Sequence, residues 1–269
     1  MSRETIYSTF RERYRAKELL LGMTCSTMSP VMTEIIGYAG FDFVIVDTEV
    51  LSINPETVEN MVRAAECSGA VPIIKLKDND PIRVADALNT GAPMCKIPHA
   101  QSADDLKRAV DAAFFHPKGE RGLCSVSRAN RYAQGKMSDL IEWTNAEVQI
   151  IPIIEDRIAV ERIGELMAVD GVDIYDIGPV DLAHSYGLRP DRGFANEEIS
   201  AALERVLAAA DKYGKHVMTV PVLGQQLTPE LAKEWLIDRG VRLVFYRTDS
   251  VNLRVVSQDV MRLRDLVRL

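Results

Sequence analysis

Eight short apolar runs, alternating with amphipathic stretches of helical spacing, predict an α/β fold in which parallel strands close into a (β/α)8 TIM barrel. The runs are short and mostly apolar, as parallel strands covered by helices are, and eight such units fit a closed barrel better than the open doubly wound sheet that is the structural alternative. No G-x-G-x-x-G follows the first run, so the fingerprint of a dinucleotide-binding open sheet is missing.

Strands are expected at 20–24, 43–46, 71–76, 94–97, 148–154, 174–177, 217–220 and 243–246. Helices are expected at 30–39, 55–67, 81–89, 103–114, 157–168, 197–213 and 229–239, each with apolar positions three or four residues apart. Ser29-Pro30, Asn54-Pro55 and Asp80-Pro81 place a capping residue before a proline, whose fixed φ and missing N–H suit a first helical turn. Gly40, Gly69, Gly91, Gly171, Gly214 and Gly240 mark helix ends. Two segments exceed what eight strand–helix units use. One is a polar helix at 3–19, placed to cap the barrel bottom or meet a neighbouring subunit. The other is the long connection at 115–146, expected to be partly mobile or engaged in an oligomer. The whole of 1–269 is read as one domain.

Bulk properties narrow the function. The chain has 269 residues, 47% apolar and 26% charged, enough to bury a sizeable core without staples. No run of 18 apolar residues occurs, so no membrane span is expected. Met1-Ser2-Arg3-Glu4 leads into no apolar segment, so no secretory leader is expected. The net charge of -7 is spread along the chain without a basic block, which argues against nucleic acid as a partner. Cys25, Cys67, Cys95 and Cys124 form no C-x-x-C pair and read as free thiols in a reducing, cytoplasmic compartment. Cys25 and Cys95 lie in strand-like runs, as small buried hydrophobes do.

In such a barrel the chemistry sits where strands end. Strand two ends in Asp47-Thr48-Glu49-Val50, strand three in Lys75, strand four in Lys96-Ile97-Pro98-His99, and strand eight in Arg247-Thr248-Asp249. Strand five ends in Glu155, and strand six runs into Gly178-Pro179-Val180-Asp181. Glu155 and Asp181 end adjacent strands, so their carboxylates are placed to hold Mg2+, Mn2+ or Co2+, although pairing with arginines such as Arg157 is the structural alternative. Gly178, Pro179 and Val180 open a short helix whose free N–H groups suit a substrate carboxylate; a simple turn is the alternative. Lys75 closes a buried run, where it serves as an oxyanion clamp or a Schiff-base amine, or snorkels out of the mouth. Lys96 shares its problem, facing the side of Pro98, which points toward the barrel interior. Among the histidines, His99 has the best position for a base; His216 begins a strand at the far end and reads as structural.

Several stretches taken together resemble the HpcH/HpaI aldolase family over roughly residues 21–253. They are Ala39-Gly40-Phe41-Asp42-Phe43-Val44-Ile45-Val46-Asp47-Thr48-Glu49, Asn79-Asp80-Pro81, Pro117-Lys118-Gly119-Glu120-Arg121-Gly122, Ser127-Arg128-Ala129 and Ile177-Gly178-Pro179-Val180-Asp181-Leu182. The resemblance implies a class II, metal-dependent enzyme. A 2-oxo acid such as pyruvate chelates the metal, loses a proton to give an enolate and adds to an aldehyde, or the reverse step cleaves a C–C bond. It makes Glu155 and Asp181 the metal ligands, the helix start at Val180-Asp181 the carboxylate cradle, and Ser127 and Arg128 candidate substrate contacts. It also implies assembly, as a homo-trimer or homo-hexamer. Two positions depart from the family pattern. Val50 stands where a histidine base is usual, and Lys75 stands where an arginine clamps the enolate oxygen. A C–C lyase or synthase therefore has Lys75 as the clamp, with Asp47 and Glu49 offsetting its charge, and His99 or metal-bound hydroxide as the proton carrier. Decarboxylation or hydration of a chelated oxo or hydroxy acid is the second reading, and a non-catalytic binding or structural barrel the third.

Overall fold

The computed structural model describes residues 2–222, 228–246 and 248–262. Its eight strands pair in sequence order and close, β8 lying parallel beside β1. They are β1 (Leu20–Cys25), β2 (Phe43–Asp47), β3 (Val71–Lys75), β4 (Met94–Ile97), β5 (Gln149–Ile154), β6 (Ile174–Ile177), β7 (His216–Thr219) and β8 (Leu243–Tyr246). Each apolar run of the sequence becomes one of them, with ends that match or shift by a single residue. The helices are α1 (Arg3–Arg15), α2 (Pro30–Tyr38), α3 (Pro55–Ser68), α4 (Pro81–Asn89), α5 (Ala103–Ala113) and α6 (Met137–Glu147). They continue as α7 (Arg157–Glu161), α8 (Ile163–Met167), α9 (Pro179–Ser185), α10 (Glu197–Tyr213), α11 (Pro229–Ala232) and α12 (Asp249–Met261).

Side chains alternate along a strand, so each strand feeds two cores. Inward, Leu20, Phe43, Ile45, Ile73, Ile151 and Met218 fill the barrel; outward, Val44, Ile74, Cys95, Ile150, Ile154 and Tyr175 pack beneath the helices. Gly22 makes room inside, since a Cβ there would overlap the Phe43 ring at 2.1 Å. The expected caps form: Ser29, Asn54 and Asp80 each accept a backbone N–H from their helix, and Ser102 and Asp105 complete a reciprocal capping box at α5.

The polar helix at 3–19 ends at Arg15, and its buried face plugs the barrel bottom. Ile6, Tyr7, Phe10 and Tyr14 join the interior cluster, with Phe10 edge-on to Phe43 at 5.9 Å. That apolar face is therefore consumed within the chain. The connection at 115–146 carries secondary structure of its own. It holds a 3-10 turn at Arg128–Asn130 and the helix α6, whose Trp143 ring lies 5.7 Å from Tyr7. Two expected helices are interrupted. The stretch 157–168 breaks at Arg162, whose φ of -101° and ψ of 14° leave the helical region, and 229–239 passes from α11 into a π turn at Lys233–Ile237. Exposed apolar side chains gather on α2 (Val31, Ile35, Tyr38) and α12 (Leu253, Val256, Val260). Among the described residues, no helix is long and apolar enough to cross a membrane.

Candidate active site at the strand ends

Alternation carries polar groups into the barrel mouth. On β5, Ile151 and Ile153 face inward, so Glu155 continues that face just beyond the strand and is 3% exposed. Its Oε1 accepts the backbone N–H of His99 at 2.9 Å. His99 adopts a left-handed backbone, φ 51°, a conformation costing a non-glycine residue roughly 1–2 kcal/mol. The turn aims its N–H at Glu155 and sets its imidazole Nδ1 3.1 Å from Asp156 Oδ2 and 3.6 Å from Glu155 Oε1.

From the neighbouring side, the Lys75 ammonium at the end of β3 pairs with the Glu49 carboxylate. Asp47 shapes that loop, its Oδ1 accepting the N–H of Glu49 at 2.9 Å and of Val50 at 3.4 Å. Thr48 stitches it to β3, donating through N and Oγ1 to Lys75 O at 3.0 and 2.6 Å. Glu49, His99 and Glu155 thus converge, each offering a ligand atom within 4.8 Å of the others. Two carboxylates and an imidazole are a donor set suited to a divalent cation.

The electrostatics follow from burial without enough donors. Desolvation pushes the Glu155 carboxyl up to about 7, against the opposing pull of the His99 N–H, Lys75 and His99, with Glu49 adding to the rise. Burial works against charge on Lys75, but the Glu49 hydrogen bond and charge, with Asp47 and Glu155, hold its pKa above the usual lysine range. Burial opposes charge on His99 too; Asp156, Glu155 and Glu49 outweigh it and raise the imidazole. A cation in the triplet would draw the proton off Glu155, and that is the electrostatic fit of the site to a metal.

One layer below lies a pair that strand-end reasoning missed. Lys96 Nζ on β4 sits 2.6 Å from Asp176 Oδ2 on β6, both side chains 2% exposed, with the Phe245 ring centroid 4.2 Å from the ammonium. A signal existed: Met94–Ile97 and Ile174–Ile177 each carry one charge in an otherwise apolar buried strand, and opposite charges there can satisfy each other.

The remaining candidates fall in two places. Gly178 lies directly over Glu155, since a Cβ on it would stand 3.1 Å from Glu155 Oε2. Pro179 is buried, Val180 is exposed, and Asp181 is exposed in the first turn of α9, outside the triplet. Ser127 and Arg128 go elsewhere. The Arg128 guanidinium pairs with Glu66 and donates to Thr90 O at 2.7 Å, near the start of β4, while Ser127 Oγ donates to Cys124 O at 3.2 Å. Within one chain they do not reach the mouth. His216 packs edge-on to Tyr14 at 5.0 Å at the barrel bottom. Cys25 and Cys95 are buried, and desolvation pushes Cys95 up to about 12. Asp249 is buried as well, bonded to Ser26 and Thr27. Arg247 lies outside the described residues.

Comparison with known proteins converges on one group. Residues 21–231 match the family model described as HpcH/HpaI aldolase/citrate lyase. The chain is 32% identical over 241 residues to a 2-dehydro-3,6-dideoxy-6-sulfogluconate aldolase of Pseudomonas putida, covering 90% of this chain and 91% of that protein. It is 31% identical to a hydroxypyruvate/pyruvate aldolase of Sagittula stellata, over 76% of this chain and 79% of the relative. A crystal structure of an HpcH/HpaI aldolase/citrate lyase family protein from Burkholderia cenocepacia superposes with a TM-score of 0.85 at 27% identity, covering 95% of this chain and 99% of the other. The barrel, the acidic cluster at its strand ends and these similarities agree: the chain belongs to the HpcH/HpaI aldolase/citrate lyase family.

Proposed function

We propose that this protein is a divalent-metal-dependent C–C lyase or synthase acting on a pyruvate-like 2-oxo acid, with an aldehyde as the second reactant. The observation that carries the reading is the convergence of Glu49, His99 and Glu155 at the ends of β2, β4 and β5, with the Lys75 ammonium in the same cluster. Mg2+, Mn2+ or Co2+ would be held by Glu155 with Asp181, and Glu49, whose carboxylate lies beside Glu155, is a further oxygen donor. When bound, the metal supplies Lewis-acid polarisation of the substrate carbonyl.

The chain's own groups do the rest. The open backbone at Gly178, ahead of Pro179 and Val180, leaves space beside Glu155 for the substrate carboxylate. Lys75, kept protonated by Glu49 and Asp47, places a point charge where the enolate oxygen gains negative charge. His99, oriented by Asp156, takes the proton from the carbon next to the ketone. That carbon attacks the aldehyde carbonyl carbon, and the new alkoxide takes up a proton; cleavage runs the same steps backwards. Support for an aldolase also comes from the relatives, which are named as aldolases, one of them a hydroxypyruvate/pyruvate aldolase. We place the protein in the cytoplasm as a homo-oligomer, a trimer or hexamer, in which Ser127 and Arg128 serve a neighbour's site. Sedimentation giving only a 30 kDa species would reject assembly.

The test is deuterium exchange at the methyl group of pyruvate. Exchange that requires Mn2+ and leaves no protein adduct after borohydride supports the reading. A borohydride-stable adduct on Lys75 formed in EDTA makes the enzyme a Schiff-base aldolase instead. No exchange with any of several 2-oxo acids rejects enolate chemistry.

A further inference from the structure

The Lys96–Asp176 pair is the least explained feature of the barrel. A buried ion pair is commonly no more stabilising than well-packed apolar residues of similar volume, so the fold does not require it. Its location gives it a consequence for the mouth. Lys96 is the register partner of Lys75 on one side and of Ile151 on the other; Asp176 is the partner of Ile153. Glu155 lies two residues beyond Ile153 on the same inward face.

Lys75 shows how far a lysine reaches from that level, because its ammonium arrives at Glu49, a member of the triplet. Lys96 starts from the same register level with an equally long side chain. It turns instead beneath β5 to Asp176, and its ammonium rests against the Phe245 ring. An ammonium tethered on this interior face, once free to swing toward the mouth, would compete at high effective concentration with any cation from solution.

We propose that Asp176 is a positioning residue that holds Lys96 in the barrel floor and so keeps the Glu49–His99–Glu155 cluster free of an internal cation. Asp176 touches neither substrate nor metal; it acts through Lys96. Removing its carboxylate releases Lys96 upward to Glu155 or Glu49, and removing Lys96 as well cancels the effect. The consequence for metal rests on the function proposed above, but the position of Lys96 does not.

The test has two arms. Mn2+ titration calorimetry is run on wild type, Asp176→Leu, Lys96→Met and the double variant, with thermal melts of each. Asp176→Leu is expected to bind Mn2+ more than tenfold more weakly, and the double variant to return within about threefold of wild type. Lys96→Met should melt lower, with an unpaired buried carboxylate, yet bind Mn2+ at least as tightly as wild type. A purely structural pair would make affinity follow melting temperature; here the two separate. Asp176→Asn, which keeps the shape, serves if Asp176→Leu does not fold, with the same rescue expected from Lys96→Met. The second arm needs no metal: the crystal structure of the Asp176 variant. Lys96 Nζ within hydrogen-bond distance of Glu155 or Glu49 supports the proposal. Lys96 still in the floor, or a double variant as weak as Asp176→Leu, overturns it. Wild type that binds no Mn2+ would reject the metal reading alone, and the crystal structure would still decide where Lys96 goes.

Discussion

Two buried carboxylates stand at the same end of this barrel and differ in what surrounds them. Asp249, at the β8–β1 seam, accepts Ser26 N and Oγ at 2.7 and 2.8 Å, Thr27 N at 3.3 Å, and the Thr27 hydroxyl. Burial works against its charge, but these donors prevail and hold it below the usual carboxylate range. Glu155, across the mouth, has one backbone donor, and burial pushes it up to about 7. A carboxylate whose lone pairs are filled locks a loop to a helix. One left short of donors is available for a ligand. The contrast separates the seam, which is structural, from the β2–β5 mouth, which is where chemistry is expected.

Substitution at each should give opposite results. Asp249→Ala strands several buried donors and is expected to cost about 3 kcal/mol, lowering Tm by roughly 6–12 °C while Mn2+ affinity of the folded protein stays unchanged. Glu155→Gln should do the reverse, abolishing measurable Mn2+ binding. It should also raise stability at pH 8 by up to about 2 kcal/mol, because a buried ionised group is removed. Loss of Mn2+ binding in the first variant, or of stability in the second, would erase the distinction.

The pH dependence sharpens it further. Glu155 has a folded pKa of about 7 against an ordinary 4.5, so the folded state holds the extra proton between those values. Its contribution to stability therefore declines as pH rises from about 4.5 to 7 and is level above. Mn2+ must displace that proton, so affinity should fall about tenfold per pH unit below 7 and plateau above it. Asp249 runs the opposite way: its contribution is present above the unfolded carboxylate pKa and is lost as pH falls through its lowered folded value. Calorimetry between pH 5.5 and 8.5 reads the metal, and melts of the metal-free protein carried down to about pH 2.5 read both carboxylates.

The smallest effect is expected at Val50, 74% exposed beside the cluster. Val50→His should shift stability by less than about 0.5 kcal/mol. If His99 carries the proton, it should change pyruvate exchange less than about threefold. A tenfold gain would move the proton to position 50.

Much of this was legible in the sequence, because local rules govern it. Eight apolar runs gave eight strands, and counting to their ends reached Glu49, Lys75, His99 and Glu155, since inward alternation continues into the mouth. What escaped is decided by contacts between distant segments. Lys96 and Asp176 find each other across β5, a relation that no single strand carries. Arg128 turns to Glu66 because the connection after α5 folds beneath the barrel, a direction strand counting does not reveal. The helices α6 and α12 were missed because they bury little: Leu140 and Thr144 on one, and only Asp249 among the described side chains of the other. The left-handed turn at His99, which delivers its N–H to Glu155, is uncommon for a non-glycine residue, and although histidine adopts it more often than most, that preference is too weak to locate the turn in a sequence.

The most direct measurement is calorimetric titration of Mn2+ at pH 7.5 into wild type and into Glu155→Gln/Asp181→Asn. The expected result is one binding event in wild type and none in the double variant, with both proteins folded by their melts. Equal binding by the two would contradict the account, because the cation would then sit somewhere other than the ends of β5 and β6.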